Sequence, residues 1–140
     1  MNYSFQELPS MITVATNEST REQAKASIDG FLGPQGIETE QYFYFEIYQG
    51  GKPVSTIILS KVAKEPEKSK KFRTRIIDAG TYFVMELPHQ EYVSINKDKS
   101  FDIEKYLKER GYQMAEFPLF SFAPDLGEDM IRVYIKVAKR

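Results

Sequence analysis

Residues 41–62 read QYFYFEIYQGGKPVSTIILSKV, and the parsing of this stretch decides the fold. Its two flanks, YFYFEIY (42–48) and VSTIILSKV (54–62), are rich in aromatic and β-branched residues, which suit a pleated, half-buried chain. Between them lies Gln49-Gly50-Gly51-Lys52-Pro53, a five-residue link whose glycine pair is a hairpin signal. The two-residue period of a strand sorts 42–48 onto two faces, with Phe43, Phe45 and Ile47 on one and Tyr42, Tyr44, Glu46 and Tyr48 on the other. On this pattern the purely apolar set belongs under a helix, and Glu46, the one carboxylate of the stretch, shares its face with tyrosines.

Upstream, MITVAT (11–16) alternates and is β-branched, so it reads as a strand. Ser19 and Glu22 have the capping-box spacing, which predicts a helix over 19–32 with Ala24, Ile28, Phe31 and Leu32 as its apolar stripe and Gly33-Pro34 as its end. The first half is therefore strand, helix, strand, strand. KEPEKSKK (64–71) is charged without apolar periodicity and reads as an exposed connector.

The second half repeats the order. FRTRIIDAGTYFVMEL (72–87) reads as extended chain interrupted near Asp78-Ala79-Gly80. A helix is predicted over 102–110, with Ser100 as cap, Ile103, Tyr106 and Leu107 on one face, a Glu104/Lys108 pair in the favourable order, and Gly111 as the stop. Strands at 117–123 and 130–137 flank the turn Pro124-Asp125-Leu126-Gly127. In the last of these, Ile131, Val133, Ile135 and Val137 share one face, opposite Arg132, Tyr134 and Lys136. The predicted fold class is α+β, with tandem strand-helix-strand-strand repeats forming a mostly antiparallel sheet, helices on one face and a concave cleft on the other. The expected organisation is one domain over 1–140, with repeats at 8–62 and 72–138 and a connector at 63–71.

Composition narrows the function classes. A chain of 140 residues, 41% hydrophobic and 14% aromatic, has the size of one packed domain. A net charge of -1 offers no basic field for phosphate backbones, so no direct nucleic-acid partner is expected. The absence of cysteine excludes disulfides, thiolate metal sites and a cysteine nucleophile. No signal-like start and no apolar run near ~20 residues is present, so the expectation is a soluble, cytoplasmic protein without a membrane partner.

Four stretches carry a family resemblance: IDAGTYFV (77–84), YLKERGY (106–112), FPLF (117–120) and IRVYIKV (131–137). With the tandem layout, they resemble the GyrI-like small-molecule-binding superfamily, which includes effector-binding domains of multidrug-sensing and AraC-type transcription regulators, gyrase-inhibitor proteins and, more distantly, SOUL haem-binding proteins. The resemblance spans nearly the whole chain and carries no catalytic signature. Drug-binding members place a glutamate at the bottom of an aromatic pocket, at the position of Ser121 here, and Asp78 stands where the family has proline. The equivalent strand of the first repeat, Phe45-Glu46-Ile47-Tyr48, is similar to that glutamate motif. The resemblance thus implies a ligand-binding set of Glu46, Tyr44, Tyr48, Tyr82, Phe120, Ser121 and Tyr134.

Two readings of Glu46 stay open: a carboxylate among rings that binds a lipophilic cation, or one that pairs with Arg132 or Lys136 or faces solvent on a half-wet sheet. Tyr82 and Phe120 equally suit an ordinary core. His89, following Pro88 at a strand end, is the only histidine, and one imidazole without cysteine assembles no usual zinc site; a lone axial haem ligand is formally open. Ser94, Ser100 and Ser121 lack a nucleophile's context, and Gly50-Gly51-Lys52 is a turn without phosphate-loop spacing. Some GyrI-like members are hydrolases using a pocket glutamate, which gives Glu46 with Tyr44 and Tyr82 an enzymatic alternative. The leading expectation is a non-enzymatic module, without cofactor, that binds a small amphipathic or cationic molecule in a cleft between the repeats. No helix-turn-helix segment is expected, so any role in transcription would act through another chain. The alternative is a protein-interaction module, such as an inhibitor, immunity or accessory protein of a bacterial gene cluster. The oligomeric state is left open.

Overall fold

The computed structural model describes the backbone of residues 1–16, 20–50 and 52–140, and the side chains of these except 47–49 and 52–54. Among them are nine strands and three helices, an α+β chain in which the strand pairings detailed below are antiparallel. The chain divides into two compact units, one of residues 9–79 and one of residues 1–8 with 80–140.

The 9–79 unit holds β2 (Met11–Ala15), α1 (Arg21–Leu32), β3 (Gln41–Gln49), β4 (Lys52–Val62) and β5 (Arg73–Ile77), with sheet order β3-β4-β2-β5. The hairpin expected from 41–62 is present, with Phe43 opposite Leu59 and Tyr44 opposite Ile58. Its link is shorter than five residues: Gln49 pairs with Lys52, and a bulge between Ile47 and Tyr48 absorbs the register. Gly50 sits at φ 60°, a left-handed geometry that glycine adopts without a Cβ clash. Gly51 lies outside the described residues.

Helix α1 begins two residues later than the sequence suggested. Its cap is Thr20, whose hydroxyl accepts from the Gln23 amide at 3.1 Å. Thr20 and Gln23 offer the same i to i+3 spacing as Ser19 and Glu22, and Ser19 lies outside the described residues. The buried stripe is Ala24, Ile28 and Leu32, and a 3-10 turn over Gly33–Gln35 follows at once. Pro34 removes the donor that another α-turn would need.

The other unit holds β1 (Asn2–Leu8), β6 (Gly80–Pro88), α2 (His89–Asp98), α3 (Ile103–Glu109), β7 (Tyr112–Met114), β8 (Leu119–Phe122) and β9 (Met130–Lys139), in the order β1-β6-β9-β8 with β7 also on β9. The extended run at 72–87 is thus two strands with different neighbours, β5 on β2 and β6 on β1 and β9. Register across β6 and β9 pairs Phe83 with Ile135, Met85 with Val133 and Leu87 with Ile131, and all six side chains are fully buried. At ~1.5–3 kcal/mol for each large apolar side chain removed from water, this ladder outweighs the ~0–1 kcal/mol of an exposed ion pair and sets the register.

Helix α3 is capped by Asp102, not Ser100: its carboxylate accepts from the Lys105 amide at 3.1 Å. Gly111 closes it at φ 82°, its amide donating to the Lys108 carbonyl at 3.0 Å. Three elements escape the sequence pattern. Helix α2 has Pro88 as cap without a side-chain hydrogen bond and buries Ile95 alone, so it shows neither a start signal nor a stripe. His89 is consequently the first residue of a helix and not a strand-end loop residue. Strand β1 alternates only over Tyr3 and Phe5, and its pairing comes from Phe83 and Met85, some eighty residues away. Strand β7 is three residues long, too short to carry a period.

Thr20→Ala is expected to cost about 1 kcal/mol, the usual loss for a cap hydroxyl, read as a lower urea midpoint with an unchanged slope. Thr20→Ser is expected to restore most of it, because the acceptor oxygen is retained.

Candidate functional site

The site is built from β3 upward. Tyr42, Tyr44 and Glu46 share one face, as alternation requires, but this is the face α1 covers. The Tyr42 hydroxyl donates to Asp29 Oδ1 at 2.6 Å, Lys25 Nζ stands 5.0 Å from the Tyr42 ring centroid, and the Arg21 guanidinium carbon is 5.7 Å from that of Tyr44. The expectation that Phe43, Phe45 and Ile47 lie under the helix is therefore corrected; the Ile47 and Tyr48 side chains fall outside the described residues. The reason lies in the neighbouring strands. Ile58 pairs with Tyr44, Ser60 with Tyr42 and with Val14, and Val14, Ile58 and Val62 are all buried. These supply the apolar floor for the α1 stripe, so β3 contributes tyrosines whose rings pack while their polar ends reach the helix's flanking charges. Tyr44 is 4% exposed, and Glu46 is half-buried.

Burial raises the Tyr42 phenol above its ordinary value, and the hydrogen bond to the Asp29 carboxylate adds to the rise. Thr39 Oγ1 also donates to Asp29, at 3.3 Å, and shares a 2.5 Å hydrogen bond with the buried Ser60 hydroxyl. A hollow of about 300 Å³ opens here, lined by Asp29, Ile37, Glu38, Thr39 and Tyr42.

On the opposite face of β3, the Arg75 guanidinium carbon lies 5.4 Å from the Phe45 ring centroid. Phe43 is buried there beside Leu59.

In the second unit the apolar face of β9 does meet the helices. Tyr106 of α3 lies 5.3 Å from Phe83, and Tyr92 of α2 meets Phe120 edge-on at 5.3 Å. Phe120 pairs with Val133 on that same helix-covered face. Tyr82, Ser121 and Tyr134 lie on the other face, with Tyr82 and Ser121 buried and Tyr134 half-buried. Of the residues singled out in the sequence, Glu46 and Tyr44 thus stand together in one unit, Tyr82, Ser121 and Tyr134 together in the other, and Phe120 on the reverse of its strand.

Arg132, one of the two cations weighed as a partner for Glu46, is engaged within its own unit. Its Nε donates to Glu86 Oε2 at 2.9 Å and its Nη2 to Asp125 Oδ2 at 2.9 Å. The hydrogen bond from Arg132 holds the Asp125 carboxyl below its usual range. A second hollow, about 580 Å³, lies by α3 and β7; Tyr112 and Met114 line it together with charged residues including Lys105, Lys108 and Arg140, a more polar wall than that of a typical small-molecule pocket. Among the described residues no cluster of three metal-ligating side chains occurs, and no helix is long and apolar enough to cross a membrane. Arg21, Lys25 and Asp29 are site residues that the sequence pattern did not single out. Their four-residue spacing beside Ala24, Ile28 and Leu32 was the available signal.

No protein-family model and no curated protein matches the sequence. Likeness to solved structures is extensive. The EcmrR C-terminal domain matches with TM-score 0.64 at 13% identity over 99% of this chain and 98% of that one. In the EcmrR–DNA complex the match has TM-score 0.63 at 14% identity, and the present chain spans 58% of the EcmrR chain. A hydrolase from Listeria innocua matches with TM-score 0.59 at 10% identity over 97% of this chain and 91% of that one. SAV2435, in a structure with tetraphenylphosphonium, matches with TM-score 0.51 at 15% identity over 99% and 94%. At these identities the likeness is one of fold alone: the chain shares the α+β architecture of the EcmrR C-terminal domain.

The Asp125 shift has a definite sign in solution. Because its folded pKa is depressed from 3.8, the contribution is present above that value and is lost as pH falls through the lower folded pKa. Urea midpoints of wild type and Asp125→Asn are expected to differ slightly at pH 6 and to converge as pH falls through the folded value, below the ordinary carboxylate range; a gap that persists at the acid end would assign the difference to something other than this carboxylate's charge.

Proposed function

We propose that this chain is a non-enzymatic module that binds a small amphipathic cation and acts as a sensor through another protein chain. The observation that carries the proposal is the tyrosine face of β3, where Tyr42 and Tyr44 already hold cationic groups at 5.0 and 5.7 Å and the next residue along the face is the half-buried carboxylate of Glu46. Each such ring contact is worth ~0.5–2 kcal/mol, and a partly desolvated carboxylate adds charge complementarity. Glu46 and Tyr44 are the proposed ligand contacts, with Tyr82, Ser121 and Tyr134 as candidates in the second unit. Support comes from the shared fold of SAV2435, which is bound to tetraphenylphosphonium, and of EcmrR, a DNA-complexed protein of which this chain matches 58%. The hydrolase of the same fold keeps an enzymatic role in view, but fold likeness at 10% identity transfers no active-site residue.

A second reading, a protein-interaction module, is favoured by Phe117, which is 88% exposed. A ring so fully in water is the kind of side chain that anchors an interface.

A thermal-shift titration with tetraphenylphosphonium discriminates. Ligand at a hundred times its Kd is expected to stabilise the wild type by about 2.7 kcal/mol, and Glu46→Gln is expected to remove most of the shift. An unchanged melting temperature in the wild type, or an undiminished shift in Glu46→Gln, would sink the assignment. Phe117→Ser is expected to leave this shift intact and to weaken co-purification of a protein partner if the second reading holds.

A further inference from the structure

Strand β5 ends the order β3-β4-β2-β5, with β2 as its one neighbour among the described residues. Four of its five residues, Arg73 to Ile76, are exposed. One contact fixes the direction of its backbone: the Arg75 carbonyl accepts from Thr13 Oγ1 at 2.6 Å and so points toward β2. Successive residues of a strand turn their amide and carbonyl to alternate sides. Thr74 and Ile76 therefore direct theirs outward, to the side without a neighbour, and an open edge of this kind is a template for a further strand.

The side chains of β5 specify what that strand must carry. Arg73 and Arg75 lie on one face, Thr74 and Ile76 on the other, and Ile76, opposite Ile12, is 47% exposed. Among the described residues neither arginine forms an ion pair. Lys68, Lys70 and Lys71 lead into the strand, so residues 68–77 hold five cations and no carboxylate. A second copy of this chain, paired antiparallel through its own β5 about Thr74, would set Arg73 against Arg75, and like charges directly opposite are destabilising. The charge that turns away a copy attracts an acidic strand. Nucleic acid would meet the same charge but not the rest of the edge: Phe72, the ring within the run, is already stacked on Phe31 at 4.3 Å, which leaves no platform for bases.

We propose that β5 is a docking edge for an extended acidic segment of a partner protein, which joins the sheet as a strand with carboxylates opposite Arg73 and Arg75 and an apolar residue opposite Ile76. Directly opposed residues share a face, so the segment alternates acidic and apolar positions. Main-chain hydrogen bonds to Thr74 and Ile76 supply affinity, and the arginine face supplies selectivity. The edge is separated from Glu46 and Tyr44 on β3 by β4 and β2, and its role does not depend on the cation-binding reading.

Fluorescence anisotropy of the full chain with a short labelled peptide of alternating glutamate and valine tests the proposal. Binding is expected, and it is expected to weaken as salt screens the exposed charges. Arg73→Gln and Arg75→Gln are each expected to weaken it about 1.5- to 5-fold, the range of one cross-strand charge pair, and Glu46→Gln to leave it unchanged. Thr74→Pro removes an amide that points away from β2, so it is expected to abolish binding while the urea midpoint stays near that of wild type. The unaltered protein gives the same readout with modified peptides. A strand turns only alternate amides to its neighbour, so N-methylation of one alternate set of peptide amides is expected to abolish binding and of the other set to spare it. Loss with both sets or with neither overturns the proposal. So does an absence of peptide binding, equal binding of polyglutamate or of a single-stranded oligonucleotide, or a dimer of the chain that Thr74→Pro dissociates.

Discussion

In each unit of this chain the strands give one face to a helix, and most of the molecule's chemistry follows from which face that is. In the unit built on β6 and β9 the choice is between Ile131, Val133, Ile135 and Val137 on one side and Arg132, Tyr134 and Lys136 on the other. Burying the charged side without partners would cost several kcal/mol per ion, so the aliphatic side goes under α2 and α3. In the unit built on β3 both sides are aromatic, and the tyrosine side also carries the half-buried carboxylate of Glu46, so the polarity of β3 by itself would send the phenylalanine side under the helix. There the neighbouring strands decide, because Val14, Ile58 and Val62 form the apolar floor and β3 must align its tyrosines with them.

Putting tyrosines beneath a helix creates obligations that the flanking residues meet. The Tyr42 hydroxyl finds Asp29 and the Ser60 hydroxyl finds Thr39, while on the opposite face Thr13 Oγ1 donates to the Arg75 carbonyl at 2.6 Å. Among the described residues no buried side-chain nitrogen or oxygen lacks a partner. That satisfaction matters energetically, since one orphaned buried group costs ~1–3 kcal/mol, a large share of a domain's net stability. The ring faces are met in the same manner, by cations on α1 and β5. The face proposed for an external cation is thus also the one on which the fold places Arg21 and Lys25.

Much of the architecture was legible from local pattern. The hairpin over 41–62, the α1 stripe of Ala24, Ile28 and Leu32, the glycine stop after α3 and the alternation of β9 are all properties of contiguous residues, readable from spacing alone. Caps were legible to within two residues, because Ser19/Glu22 and Thr20/Gln23 satisfy the same geometry and only the backbone decides between them. Helix α2 and strands β1 and β7 were not legible, for they lack a sustained period and owe their existence to partners such as Phe83, Met85 and Val137 that lie far away in sequence. The candidate site divides the same way: that Glu46 and Tyr44 share a face was certain from alternation, whereas the Arg21 and Lys25 contacts require α1 to be laid on β3.

The amino-acid sequence by itself determined the alternating faces of β3 and β9, the strand-helix-strand-strand order over 11–62 and the company Glu46 keeps. Tertiary structure alone decided that this face lies under α1, that β5 and β6 part to different neighbours, and that Arg132 pairs with Glu86 and Asp125. The division has a physical cause. Side-chain period is a local consequence of backbone geometry, but the burial of one face or the other is settled by the summed contacts of strands and helices brought together from distant parts of the chain.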